Sequence, residues 1–212
     1  MKRELIVADD AAGTAADLFV ELHPHTVALA GGSTPKALYE RLTTMPFPWA
    51  ETEVFFGDER CVPPDHPDSN FNTANLALLS KVMARVHRMP SESCGAEEYE
   101  AELTSIFGEG TPRFDLVILG LGPDGHTASL FPGDAALDER ERRVVGVTRP
   151  DHARLTLTLP VLSAARVAMF LVAGPNKAEM LCRLMRDEDI PAARVQAERV
   201  IVVADRAAAA GT

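Results

Sequence analysis

Short apolar runs recur along the 212-residue chain, and several are apolar at consecutive positions rather than at alternate ones. They are ELIVA (4–8), TVALA (26–30), EVFF (53–56), DLVILGL (115–121), RVVGVT (143–148), RLTLTL (154–159), VAMFLVA (167–173) and RVIVVA (199–204). Uninterrupted runs of this length fit strands covered on both faces, which favours a parallel or mixed sheet. Between them the period changes. PKALYERL (35–42) opens on a proline suited to a first helical turn, and NTANLALLSKVMARV (72–86) spaces its apolar residues by three and four, predicting a helix over the stretch. AEEYEAELTSIF (96–107) and GPNKAEMLCRLM (174–185) read the same way. Alternating strand and helix predict an α/β sandwich with a mostly parallel, Rossmann-like sheet, and ligands beyond the carboxyl ends of its strands. No repeat and no linker divides the chain, so residues 1–212 are expected to form one domain.

Composition narrows the function classes. The 46% hydrophobic content suffices for a core on both faces of a sheet, and the 25% charged content contains no long run of one sign, so the whole chain should fold. A net charge of −10 argues against nonspecific binding to nucleic acid or to an anionic membrane, since both need a basic face. An anionic ligand must then meet a local cluster of donors. The opening MKRELIVADDAAG has an apolar run from Leu5 to Ala8 that ends at Asp9, too short for a signal sequence, and no stretch approaches the roughly 20 apolar residues of a membrane helix. A cytoplasmic protein, monomeric by default, is expected. Cys61, Cys94 and Cys182 form neither a CxxC pair nor a disulfide framework and read as reduced thiols.

Four segments carry candidate chemistry. In ALAGGSTPKALYERL, Gly31, Gly32, Ser33 and Thr34 lie between a strand and a helix start, a place where close backbone approach, hydroxyl donors and a helix N-terminus suit a phosphate. No GxxxxGK[ST] is present, so a nucleoside triphosphate is not implied, and a plain capped turn reads equally well. In FDLVILGLGPDGHTASLFPG, Gly120, Gly122 and Gly125 form a formal GxGxxG. However, Pro132 and Gly133 cut off the long helix a dinucleotide site needs, and the acidic residue expected about 20 positions on is replaced by the polar run DERERR.

What remains in that segment is His126 with Asp124 two residues before it, and Thr127 and Ser129 close by: a general base near neutral pH, or a pair that merely closes a turn. A serine hydrolase lacks its GxSxG. The long charged loop GDERCVPPDHPDSN (57–70) brings Asp58, Glu59 and Arg60 at one end and Ser69 and Asn70 at the other; weak surface pairing is the plain alternative. Finally, Arg154 and Lys177 stand beside turns where either can hold phosphate or simply be solvated.

In this order and spacing the segments resemble the family of 6-phosphogluconolactonases and glucosamine-6-phosphate deaminases. AGGSTPKALYERL, FFGDERCVPPDHPDSNFNTA, HRMP, FDLVILGLGPDGHTASLFPG, RLTLTLPVLSAARVAMFLVAG with NKAEML, and DRAAA carry the resemblance across most of the chain. It implies a three-layer α/β/α fold, no metal or organic cofactor, and hydrolysis of a phosphorylated sugar lactone. By the same resemblance Gly32, Ser33 and Thr34 with Arg154 and Lys177 hold the 6-phosphate, and His126 activates water. Asp58 and Asp124 orient protons, and Arg60 faces the oxyanion. FNTAN after SN, and the lack of a tryptophan before DRAAA, depart from the family pattern at helix packing and the pocket edge. An amino-sugar phosphate deaminase or isomerase and an inactive sugar-phosphate sensor are the alternatives. HTASLFPG, without an acidic residue soon after the histidine, speaks against the first, and intact Asp58, Asp124 and His126 speak against the second.

Overall fold

A computed structural model describes residues 3–212; the start of the N-terminal reading, Met1 and Lys2, lies outside the described residues. The chain runs β1 (Glu4–Ala8), α1 (Ala11–Leu22), β2 (Thr26–Leu29), α2 (Ser33–Leu42), β3 (Glu53–Phe56), β4 (Asp58–Arg60), α3 (Asn70–Ala77), β5 (Arg85–Val86) and α4 (Ala96–Phe107). It continues through β6 (Leu116–Leu119), β7 (Val144–Val147), β8 (Arg154–Leu157), α5 (Leu159–Ser163), β9 (Val167–Val172), α6 (Ala178–Met185) and β10 (Arg199–Asp205). Seven strands form a sheet in the order β1-β10-β9-β6-β2-β3-β5, and its pairings are parallel. The helices pack against this sheet to give the expected α/β sandwich. Every residue of β6 and β9 is buried, as their unbroken apolar runs require.

Two of the apolar runs leave the main sheet. RVVGVT and RLTLTL supply β7 and β8, which pair antiparallel in a separate three-stranded sheet, β4-β8-β7. Its third member is the charged triplet Asp58–Arg60 from the segment read as an irregular loop.

The stretch 72–86 is not one helix. Ser69 caps α3 by accepting from the Asn72 amide at 3.1 Å, so the helix begins earlier, at Asn70, and ends at Ala77. Leu78 leaves helical conformation (φ −139°), and Arg85–Val86 pairs with Glu53–Val54 at the sheet edge instead. Within the stretch the apolar Leu76 and Met83 are 64% and 84% exposed, so tertiary pairing overrides the local period.

The cysteine reading also needs correction. Cys61 and Cys94 are joined in a disulfide, with Cα atoms 5.2 Å apart, and only Cys182 is a free thiol. The fold packs the loop after β4 against the segment before α4, and a separation of 33 residues leaves no local signature for such a bridge. Among the described residues, no helix is long and apolar enough to cross a membrane.

Candidate active site

The strand order creates the site. The chain leaves β2 in opposite directions, toward β3 and β5 on one side and β6, β9 and β10 on the other. The β6/β2 boundary is therefore the switch point where open α/β sheets form a crevice. Pairing of β2 with β6 stops after Val27–Leu116 and Ala28–Val117 although both strands continue. Their carboxyl ends separate, and a cavity of about 250 Å³ opens between the loops that follow them.

On the β2 side, the cavity wall is Ala30 to Pro35. Gly32 precedes α2 at φ 106° and supplies no side-chain cap, so the amides of the first helical turn have no side-chain partner. A Cβ on Gly31 would stand 1.8 Å from Asn70 Oδ1, so only glycine lets the Asn70 amide pack there. Tyr39, fully buried on α2, fixes the strand end: its hydroxyl donates to the Ala30 carbonyl at 2.6 Å and accepts from the Ala30 amide at 3.0 Å. Burial drives that phenol far above its ordinary range, so it remains a neutral donor.

The small sheet delivers the charged groups. Its antiparallel register sets Arg60 directly opposite Arg154, and both line the cavity. Residues opposite one another in this way share a face, and like charges there repel. Both side chains keep a buried Nε with no hydrogen-bond partner. The hydrogen bonds of Arg60 and Arg154 are peripheral: Arg60 Nη1 donates to the Asp68 carbonyl at 2.5 Å, and Arg154 Nη2 to Asp151 at 2.5 Å.

Between Asp58 and Arg60, Glu59 points the other way and is 1% exposed. Its carboxylate accepts from the amides of Arg60, Asn70 and Phe71, each at 2.7 Å, and from the Ser69 hydroxyl at 3.0 Å. Burial pushes its pKa up against the pull of those donors. This one side chain ties β4 to the start of α3 and so fixes the loop between them. Asp58, also buried, accepts from Ser129 Oγ at 2.6 Å and Asn70 Nδ2 at 3.1 Å. Asn70, Ser129 and Glu59 thus hold the acidic group in place, roles that residue type and spacing alone did not reveal.

On the β6 side, Gly120 to Pro123 and His126 line the cavity. Gly125, at φ 84°, turns the chain, and the His126 ring rests on Gly122, where an added Cβ would meet Nδ1 at 2.1 Å. Asp124 does not line the cavity; it binds the imidazole from behind, with Oδ1 2.5 Å from Nδ1 and 3.1 Å from the His126 amide. Partial burial opposes its charge, but the His126 amide and imidazole prevail and hold its carboxyl below the usual range. An ionised Asp124 needs the proton on Nδ1, so that in the neutral tautomer the lone pair lies on Nε2. Lys177, between β9 and α6, completes the wall; burial lowers its pKa while Asp124 opposes the shift. Of the residues to which the family resemblance gave roles, all but Asp124 therefore border one cavity. Among the described residues, no cluster of His, Cys, Asp or Glu is arranged to hold a metal ion.

Residues 5–203 match the family described as glucosamine-6-phosphate isomerases/6-phosphogluconolactonase. The chain belongs to this family. A curated relative from Synechocystis, named 6-phosphogluconolactonase, is 44% identical over 176 residues, covering 78% of this chain and 73% of that protein. The crystal structure of 6-phosphogluconolactonase from Thermotoga maritima superposes with a TM-score of 0.87 at 30% identity, covering 97% of this chain and all of that one (100%). A monomeric glucosamine-6-phosphate deaminase also superposes, with a TM-score of 0.83 at 21% identity over 99% of each chain; at that identity the likeness shows the fold alone. A lactonase and a deaminase thus share this fold, and side-chain chemistry must discriminate between the two activities.

Proposed function

We propose that the protein hydrolyses 6-phospho-D-glucono-1,5-lactone to 6-phospho-D-gluconate in the pentose phosphate pathway. The observation that carries the reading is the Arg60–Arg154 pair: two cations set opposite each other on the wall that also holds His126. A dianion between them relieves the repulsion and meets the guanidinium N–H groups, which fits a phosphoryl group. Arg60 accordingly joins Arg154, Lys177 and the Gly31–Thr34 turn on the phosphate, rather than standing at the oxyanion as the family resemblance implied. The names of the relatives support lactone rather than amino-sugar chemistry.

In the reaction, Nε2 of neutral His126 takes a proton from water as the water oxygen attacks the lactone carbonyl carbon. The carbonyl becomes a tetrahedral oxyanion. Its collapse breaks the bond to the ring oxygen, and the imidazolium returns the proton to that oxygen. Asp124 keeps the ring in the productive tautomer, and Asp58, held by Ser129 and Asn70, accepts from a sugar hydroxyl. Phosphate binding, remote from the carbonyl, supplies the orientation. A coupled assay tests the reading: the lactone is generated in situ, its loss above the spontaneous rate is measured, and glucosamine 6-phosphate is offered in parallel. Lactone acceleration that falls by about 10²-fold or more in His126→Asn is expected. Deamination without lactone hydrolysis reverses the assignment, and acceleration of neither removes the enzyme reading.

A further inference from the structure

The turn after His126 brings a buried aromatic ring back against the imidazole. Ala128 takes a positive φ of 47°, the Leu130 amide donates to the Thr127 carbonyl at 2.9 Å, and the chain reverses. The turn is anchored at two points, because Thr127 Oγ1 donates to the Gly120 carbonyl at 2.9 Å and Ser129 Oγ to Asp58 at 2.6 Å. Phe131, 5% exposed, emerges with its ring centroid 4.5 Å from that of His126 and tilted by 41°. The same ring carries the guanidinium of Arg149 at 4.0 Å and that of Arg154 at 5.5 Å from its centroid. A non-glycine residue in the left-handed region stores strain, so the turn is held by its contacts rather than by local preference.

We propose that Phe131 is a positioning residue that links the general base to the phosphate-binding arginine. The inference rests on the lactonase reading above. One ring limits the rotation of the His126 imidazole, whose Nδ1 is already bound by Asp124, so that Nε2 keeps its aim into the cavity. The electron-rich ring also attracts the two guanidiniums and holds Arg154 where it stands opposite Arg60. When phosphate binds Arg154, its placement is communicated to the base through a single rigid side chain, and remote binding energy serves alignment at the carbonyl.

The test uses Phe131→Met, which keeps approximate volume and removes the ring, and Phe131→Tyr, which keeps the ring. Both are assayed as folded protein, with thermal melts in parallel, on phosphorylated and unphosphorylated gluconolactone. Phe131→Met is expected to lower kcat by ~10- to 100-fold on both lactones, since the base loses its alignment. It should raise KM by ~2- to 5-fold on the phosphorylated lactone alone, since Arg154 loses its aromatic support. Phe131→Tyr should restore both constants to within about threefold of the wild type. Wild-type kcat in folded Phe131→Met, or a tyrosine variant no better than the methionine variant, overturns the positioning role and leaves Phe131 as filling. His126→Asn serves as the control. Inactive His126→Asn beside fully active Phe131→Met refutes only the positioning role, whereas fully active His126→Asn refutes the base assignment and this inference with it.

Discussion

If Arg60 and Arg154 grip one phosphate, replacing Arg154 by methionine removes a charge-assisted hydrogen bond from a guanidinium on the cavity wall. Such a bond is worth roughly 1.5–3 kcal/mol, or about 10- to 150-fold in kcat/KM on the phosphorylated lactone. The loss of the Asp151 contact adds little, because that carboxylate is 54% exposed. The same weakening should appear without catalysis. At a product concentration of 100 Kd, binding stabilises the wild type by about 2.7 kcal/mol, and a 10- to 150-fold weaker variant at that concentration retains only about 1.4 to 0.3 kcal/mol. Melting curves with and without 6-phosphogluconate read this difference directly. On unphosphorylated gluconolactone the loss should vanish. Arg60→Met and the double variant complete a cycle: two donors on one anion couple, whereas arginines serving separate groups add to within about 0.3–0.5 kcal/mol. Additive losses would return Arg60 to the oxyanion, and equal losses on both lactones would refute the shared phosphate site.

Lys177 is held below its ordinary pKa by burial, so its charge is lost at a lower pH than that of a free lysine. Affinity for 6-phosphogluconate, followed by calorimetry from neutral to alkaline pH, should therefore weaken before the usual lysine range is reached, and Lys177→Arg should abolish that dependence. Glu59→Gln puts an amide group among three backbone N–H donors and should destabilise the fold by about 2–4 kcal/mol, visible in urea melts; unchanged stability would mean that the loop does not depend on this carboxylate. Cys94→Ser opens a disulfide across 33 residues and should cost about 2–4 kcal/mol in oxidised protein but nothing in protein kept in dithiothreitol. Thiol labelling of the denatured wild type should find one free cysteine, Cys182; three would restore the reduced-thiol reading.

Strands were legible in the sequence because sheet packing imposes consecutive apolar residues: 53–56 agrees with the buried β3 to the residue, and 4–8 with the partly exposed edge strand β1. Of the small sheet, the runs behind β7 and β8 were legible and β4 was not. Asp58–Arg60 is a charged triplet with no strand signature, and it becomes a strand only because β8 supplies the hydrogen-bond ladder. The helix over 72–86 failed for the related reason that local period carries no information about a sheet edge seeking a partner at Arg85–Val86. Within the site, residues that combine into unusual motifs were visible, whereas the contacts that hold them were not. Tyr39 reads as an ordinary helix residue, and its bond pair to Ala30 depends on a strand end that has lost its neighbour.

That bond pair has a thermodynamic consequence. Fixing a residue's backbone costs about 1–2 kcal/mol in entropy, and a loop that closes on its ligand must meet that cost at the moment of binding. Here the hydroxyl of Tyr39 splices the frayed end of β2, while Asn70 presses on Gly31, so the turn proposed to receive the phosphate is ordered during folding. Capture of the ligand then needs little rearrangement. For a substrate that decays spontaneously in water, readiness at first encounter matters more than the depth of the final grip, and a preset cradle favours a fast catch over a tight hold.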